Sequence, residues 1–121
     1  MNSLSAIRFT IISSFLLVGF CLQSAIAETV TVKYRGVVDL SVFDCESVSR
    51  SSFITRICYD PKNKYMIIKL DRTYYHYCEI DAATVGALKS AESMGRFFNS
   101  NVKGDGQTGP FDCRTRRIPV Y

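Results

Sequence analysis

Residues 29–34 alternate Thr, Val, Thr, Val, Lys and Tyr, the two-residue period of a strand with one buried face. Gly36 marks a bend before Val37, Val38 and Leu40, so an N-terminal strand or hairpin is expected. Residues 43–52 lose that period: Asp44, Glu46 and four serines predict a loop with Cys45 as its anchor.

Residues 53–59 are rich in β-branched and aromatic side chains, and Asp60, Pro61, Lys62 and Asn63 supply a turn. Residues 65–70 form a second strand, Asp71, Arg72 and Thr73 a second short turn, and residues 74–80 the third strand of a meander. Asp81 offers a side-chain acceptor as N-cap for a helix over 82–91, in which Val85, Leu88 and Ala91 share one face. Gly95 is the expected stop of that helix, and 96–102 a further helical turn with Phe97 or Phe98 inward. Three Gly and a Pro make 103–110 a loop, followed by Arg114, Arg116 and Arg117. The expected fold class is α+β: a small antiparallel β-meander with an N-terminal strand, covered by one short amphipathic helix plus a helical turn.

A chain of 121 residues leaves room for one core. Its first 27 residues read as an export signal: Arg8 as the lone charge, an apolar run over 9–22, then Ala25 and Ala27 as the small residues before a cleavage point. The run falls short of the roughly 20 residues that span a bilayer and contains Thr10, Ser13 and Ser14. A periplasmic or secreted protein, without stable membrane insertion after cleavage, is the expectation. Cys21 does not make a lipoprotein signal, because Phe20 stands where a small residue is required. Losing Arg8 with the leader lowers the formal charge from +4 to +3, a field too weak to name nucleic acid as partner by itself.

Cys21 leaves with the leader, and Cys45, Cys58, Cys78 and Cys113 remain. An even set in an oxidising compartment reads as two disulfides. Structural zinc needs close ligand pairs, and every gap here exceeds ten residues, so no metal is expected. Cys58 and Cys78 fall on the first and third strands of the meander, roughly 9 to 10 Å apart, beyond the reach of a bridge. Each is expected to join a flanking cysteine.

No group of residues points to catalysis. His76 is the only histidine, and as a strand residue it projects away from the face that Tyr75 and Tyr77 share. On a regular strand the triplet therefore cannot line one site. Ser51 and Ser52 lack the glycines of a nucleophile elbow, and Asp81 beside Glu79 is better used as a cap. Gly104, Gly106 and Gly109 lie outside any strand-to-helix phosphate loop. No catalytic residue and no cofactor is expected. The tyrosine pair either packs on the helix or presents rings on which bases or sugars stack. Arg96, Lys103 and the three C-terminal arginines either hold an anion or form a solvated surface.

Read together, Ser51-Ser52-Phe53-Ile54, Cys58-Tyr59-Asp60-Pro61, Tyr75-His76-Tyr77, the run Ala91-Glu92-Ser93-Met94-Gly95-Arg96-Phe97-Phe98-Asn99 and Val102-Lys103-Gly104 resemble the KTSC domain, a family named for the C-terminal domain of some lysyl-tRNA synthetases. The resemblance covers 51–104, leaving 28–50 as an N-terminal strand and loop extension and 105–121 as a C-terminal loop and basic tail. It implies a small α+β module of unknown function for which RNA binding has been suggested. Tyr75 and Tyr77 take the place of the family's two tyrosines, and Gly95, Arg96, Asn99 and Lys103 fill the later motif, none as an established catalytic residue. Tyr75, Tyr77, Arg96, Asn99 and Lys103 are thus the candidate ligand-binding residues of an exported, disulfide-containing branch. A non-enzymatic binding module follows, with a periplasmic protein or small ligand as the favoured partner and nucleic acid or another polyanion as the alternative. Mass spectrometry of the exported protein is expected to find Glu28 as its first residue; a full-length chain held in the membrane would contradict the export reading.

Overall fold

The computed structural model describes residues 16–20, 26–104 and 109–121; most of the segment expected to be an export signal and four residues of the glycine-rich loop lie outside the described residues. Six strands are formed: β1 (Thr29–Val32), β2 (Gly36–Asp39), β3 (Asp44–Ser47), β4 (Ile54–Asp60), β5 (Tyr65–Leu70) and β6 (Thr73–Tyr77). Two short helices follow, α1 (Ala82–Ser90) and α2 (Met94–Phe97), the second running into a π-helical turn over Phe98–Lys103. The strands make one mixed sheet in the order β2-β1-β6-β5-β4-β3. All neighbours are antiparallel except β1 and β6, which run parallel and meet at one position, Val32 opposite Tyr74. Among the described residues no helix is long and apolar enough to cross a membrane.

Alternation along the meander gives the sheet two apolar faces. Ile57, Tyr59, Met66 and Ile68 project to one side and pack with Val85, Leu88, Met94, Phe98 and Val102 of the helical layer. Their neighbours Cys58, Tyr65, Ile67 and Cys78 project to the other and pack with Val32, Val38, Leu40, Phe43 and Cys113. The second face is covered by the β1–β2 hairpin and the C-terminal tail. Such cover requires the sheet to curl, since β1 and β4 would lie about 14 Å apart in a flat sheet. Glu28, just before β1, reaches Arg56 on β4 with both oxygens, at 2.5 and 3.0 Å.

The tail is fixed at its last residue. Tyr121 donates to Asp60 Oδ2 at 2.6 Å, and its ring packs 5.1 Å from that of Phe43. Arg35 lies between Tyr65 and Tyr121, at 5.0 and 5.4 Å from their ring centres, and donates to the Pro119 carbonyl at 2.6 Å. Burial pushes the Asp60 carboxyl up, but hydrogen bonds from Tyr121, Asn63 and the turn amides outweigh it and hold the group below its usual range.

Two disulfides form, Cys45–Cys58 and Cys78–Cys113, each joining a meander cysteine to a flanking one, with β5 between β4 and β6 as expected. The first bridge exposes an error in the sequence reading. Residues 44–47, expected to be loop, form the edge strand β3, with Cys45 directly opposite Cys58. All four residues of β3 are exposed, so the strand buries nothing and leaves no apolar period to read.

Asp81 caps α1 as expected, accepting from the Thr84 amide at 3.2 Å, but the helix ends at Ser90 with Ala91 as its C-cap. Gly95 is not its stop. It sits inside α2, where an added Cβ would lie 2.7 Å from the ring of Phe53, so the glycine permits close packing and terminates nothing. Of the two phenylalanines it is Phe98 that is buried, with Phe53 at 6.1 Å and Tyr77 at 5.7 Å in edge-to-face contact. Truncating Tyr77 therefore opens a hole in the helical core. Tyr77→Ala should lower the unfolding free energy by about 3 to 5 kcal/mol and Tyr77→Phe by far less, measured by denaturant unfolding; equal effects from both would contradict this packing.

Candidate ligand-binding cleft at the open edge of β6

Beyond its single pairing with Tyr74, β1 leaves the sheet. Lys33 donates its amide to the Tyr74 carbonyl at 2.8 Å, and the chain turns at Tyr34. At the far end of β6 the Cys78 amide donates to the Phe111 carbonyl at 2.9 Å. Backbone groups of an antiparallel strand alternate in direction, so Tyr75 and Tyr77 bond toward β5 while Tyr74, His76 and Cys78 face outward. The Tyr74 carbonyl and the Cys78 amide are thus taken, and the N–H and C=O of His76 between them have no hydrogen-bond partner among the described residues.

A cleft of about 530 Å³ opens over this gap. Tyr75, His76 and Tyr77 form its floor, Tyr34 one wall, and the tail residues Asp112, Cys113, Arg114 and Ile118 the other, with Lys103 and Gly109 at the end. Alternation does place His76 opposite the two tyrosines, yet all three border the cleft, contrary to the sequence expectation. The reason is that β6 is unpaired there, and an open strand edge is reached from both faces. An added Cβ on Gly109 would lie 2.5 Å from the Lys103 carbonyl, so glycine lets the returning tail close against the π-helical turn.

Tyr34 holds its position at φ 70°, a left-handed conformation that costs a non-glycine residue about 1 to 2 kcal/mol. Its ring is 83% exposed, so burial does not offset that cost. Lys33 Nζ lies 5.3 Å from the Tyr34 ring centre and 5.7 Å from that of Tyr75, which puts a cation between two aromatic walls. Across the cleft Asp112 accepts from Arg114 Nε and Nη2 at 2.9 and 2.6 Å, and this pairing holds its carboxyl below the usual range. The positive charge of the lysines is left uncompensated by Asp112.

His76 Nδ1 shares a 2.8 Å hydrogen bond with the Tyr65 hydroxyl. Burial, and then the charge of Arg35, lower its pKa from 6.5, with Asp112 opposing weakly; the ring is neutral at neutral pH. Because the unfolded chain takes up the proton first, this group stabilises the fold less as pH falls from about 6.5 through the lowered folded value. Burial pushes the Tyr77 phenol up to about 12, so it too stays neutral. Donor atoms of His76, Cys78 and Cys113 lie within 4.8 Å of one another, but the two sulfurs are bonded together and offer a metal no thiolate.

The structure brings Tyr75, Tyr77 and Lys103 to this cleft and leaves the exposed Arg96 and Asn99 outside its lining. Tyr34 was readable only as the end of a strand; the glycine that signals the bend, Gly36 at φ 108°, stands two residues further on. Asp112 and Arg114 reach β6 through the Cys78–Cys113 bridge, one of the pairings the sequence left open. A second, more polar depression of about 440 Å³ lies between the β4–β5 turn and the tail, lined by Lys62, Lys64, Arg116 and Arg117. Glu79 there pairs with Arg116 at 2.7 Å.

The profile of the KTSC domain matches residues 50–105. A KTSC domain protein of Yersinia pestis, known from a crystal structure, is 34% identical over 52% of this chain and 89% of its own, with a TM-score of 0.48. No curated protein matches the chain. The matched residues run from just before β4 to the end of the π-helical turn, and the chain belongs to the KTSC domain family, whose function is unknown.

Proposed function

We infer that the protein is an exported binding module that takes its ligand in the cleft at the edge of β6. The observation that carries this is Tyr34: an exposed aromatic ring kept in a strained backbone conformation at the mouth of a cleft, with a lysine beside it. Non-glycine residues held at positive φ, here Tyr34 with Lys64, Asp71 and Glu79, cluster at ligand-binding sites and turns, and of these four Tyr34 is the aromatic one bordering the cleft. The volume falls in the range of small-ligand sites, and tyrosine supplies contact area with little rotamer entropy to lose. A non-catalytic role is supported by the state of the reactive groups: His76 is hydrogen-bonded to Tyr65, and Cys78 and Cys113 are joined. Export is supported by the leader-like N-terminus and by two disulfides, which persist in oxidising compartments.

Polyanion binding is favoured by a separate feature, the depression with Lys62, Lys64 and Arg117 beside the Arg116–Glu79 pair. It has no aromatic wall, and its cations come from a turn and a tail that the solvent also reaches.

Tyr34→Gly separates ligand binding from folding. Glycine removes the ring and also the backbone strain, so thermal unfolding should be unchanged or shifted upward, while affinity for a retained fraction of a random hexapeptide pool falls about tenfold, roughly the worth of one aromatic contact. Binding that survives Tyr34→Gly and instead fails in Lys62→Ser/Lys64→Ser, with a short RNA or heparin as the probe, would move the function to the basic depression.

A further inference from the structure

We propose that the ligand is an extended acidic peptide of a partner protein, which crosses the edge of β6 and pairs one of its residues with the backbone of His76. This rests on the reading of the cleft as the binding site and adds the chemistry of what enters it.

An unpaired N–H and C=O on a strand edge recruit a partner that offers one acceptor and one donor at peptide spacing. Because Lys33 and Phe111 already occupy the Tyr74 carbonyl and the Cys78 amide on either side of His76, the stretch free for pairing between them is one residue long. A ligand strand therefore cannot lie along β6 as an added strand. It enters across the edge, makes two main-chain hydrogen bonds at His76, and leaves past Tyr34. Its side chains on either side of the paired residue fall to one face, that of Tyr75 and Tyr77, and the side chain of the paired residue itself falls to the other.

Charge selects the sequence of that peptide. Lys33 stands beside Tyr34 and Tyr75, Lys103 lines the end of the cleft, and Asp112 is engaged by Arg114. A glutamate or aspartate next to the paired residue meets a cation; a lysine meets a like charge. Nucleic acid fits less well, since its phosphates only accept and the His76 carbonyl would need a donor from a base or a 2′-hydroxyl placed at the same point.

The test uses the isotope-labelled exported protein, titrated with a capped hexapeptide alternating Glu and Val. The comparison ligands are the same peptide N-methylated at a central residue, a Lys/Val peptide, and a short single-stranded RNA. The acidic peptide is expected to shift the amide resonances of Tyr75, His76 and Tyr77 and to slow exchange of the His76 amide about tenfold. N-methylation should cost about tenfold in affinity, the worth of one hydrogen bond, and the Lys/Val peptide should bind more weakly still. Equal binding of the N-methylated peptide in the cleft would overturn main-chain pairing while the cleft remained the binding site. RNA that displaces the acidic peptide from the same residues would overturn the peptide assignment. If none of the probes perturbs the cleft, the peptide proposal and the binding-site reading fall together.

Discussion

Burial of β4 and β5 on both faces, with β6 half-buried beside them, is the constraint from which the rest of the molecule follows. A meander with one apolar face needs one cover, and this one needs two. The helical layer supplies the first through Val85, Leu88, Met94 and Phe98. The second comes from residues far apart in the chain, the β1–β2 hairpin before the meander and the tail after the helices. Both must be held against the sheet, which the Glu28–Arg56 pair, the Cys78–Cys113 bridge, the Arg35–Pro119 hydrogen bond and the Tyr121–Asp60 hydrogen bond do.

The cleft is a by-product of that two-part cover. The hairpin and the tail touch the edge of β6 at Tyr74 and Cys78 and join each other through the Arg35–Pro119 hydrogen bond, but neither pairs with the backbone of His76. The family-matched span contributes the floor, with Tyr75, His76, Tyr77 and Lys103. Residues outside it, Tyr34 from the hairpin and Asp112 to Ile118 from the tail, contribute the walls. A chain made of the matched span alone would carry the floor without the enclosure.

The sequence made the meander and the capped helix legible because their determinants are local: alternating apolar residues, turn chemistry at Asp60-Pro61, and Asp81 before an apolar face. It disfavoured a bridge between Cys58 and Cys78, because a strand lying between them sets their spacing beyond the usual reach of a disulfide. The edge strand β3 was not legible, since an exposed strand with polar residues on both faces has no period. The parallel contact of β1 with β6 was not legible either, because strand order depends on long-range packing. The rule that Tyr75 and Tyr77 oppose His76 was sound; what it lacked was the knowledge that β6 is an open edge, where opposite faces share one cleft.

Hydrogen exchange of the ligand-free protein, followed amide by amide along β6, tests this account most directly. Tyr75 and Tyr77 bond to β5 in the middle of the sheet and should be protected, whereas the His76 amide between them should exchange at least about a hundredfold faster. Protection of all three amides to the same extent would mean that the edge is paired, and the cleft could not then offer the free backbone groups on which its proposed ligand depends.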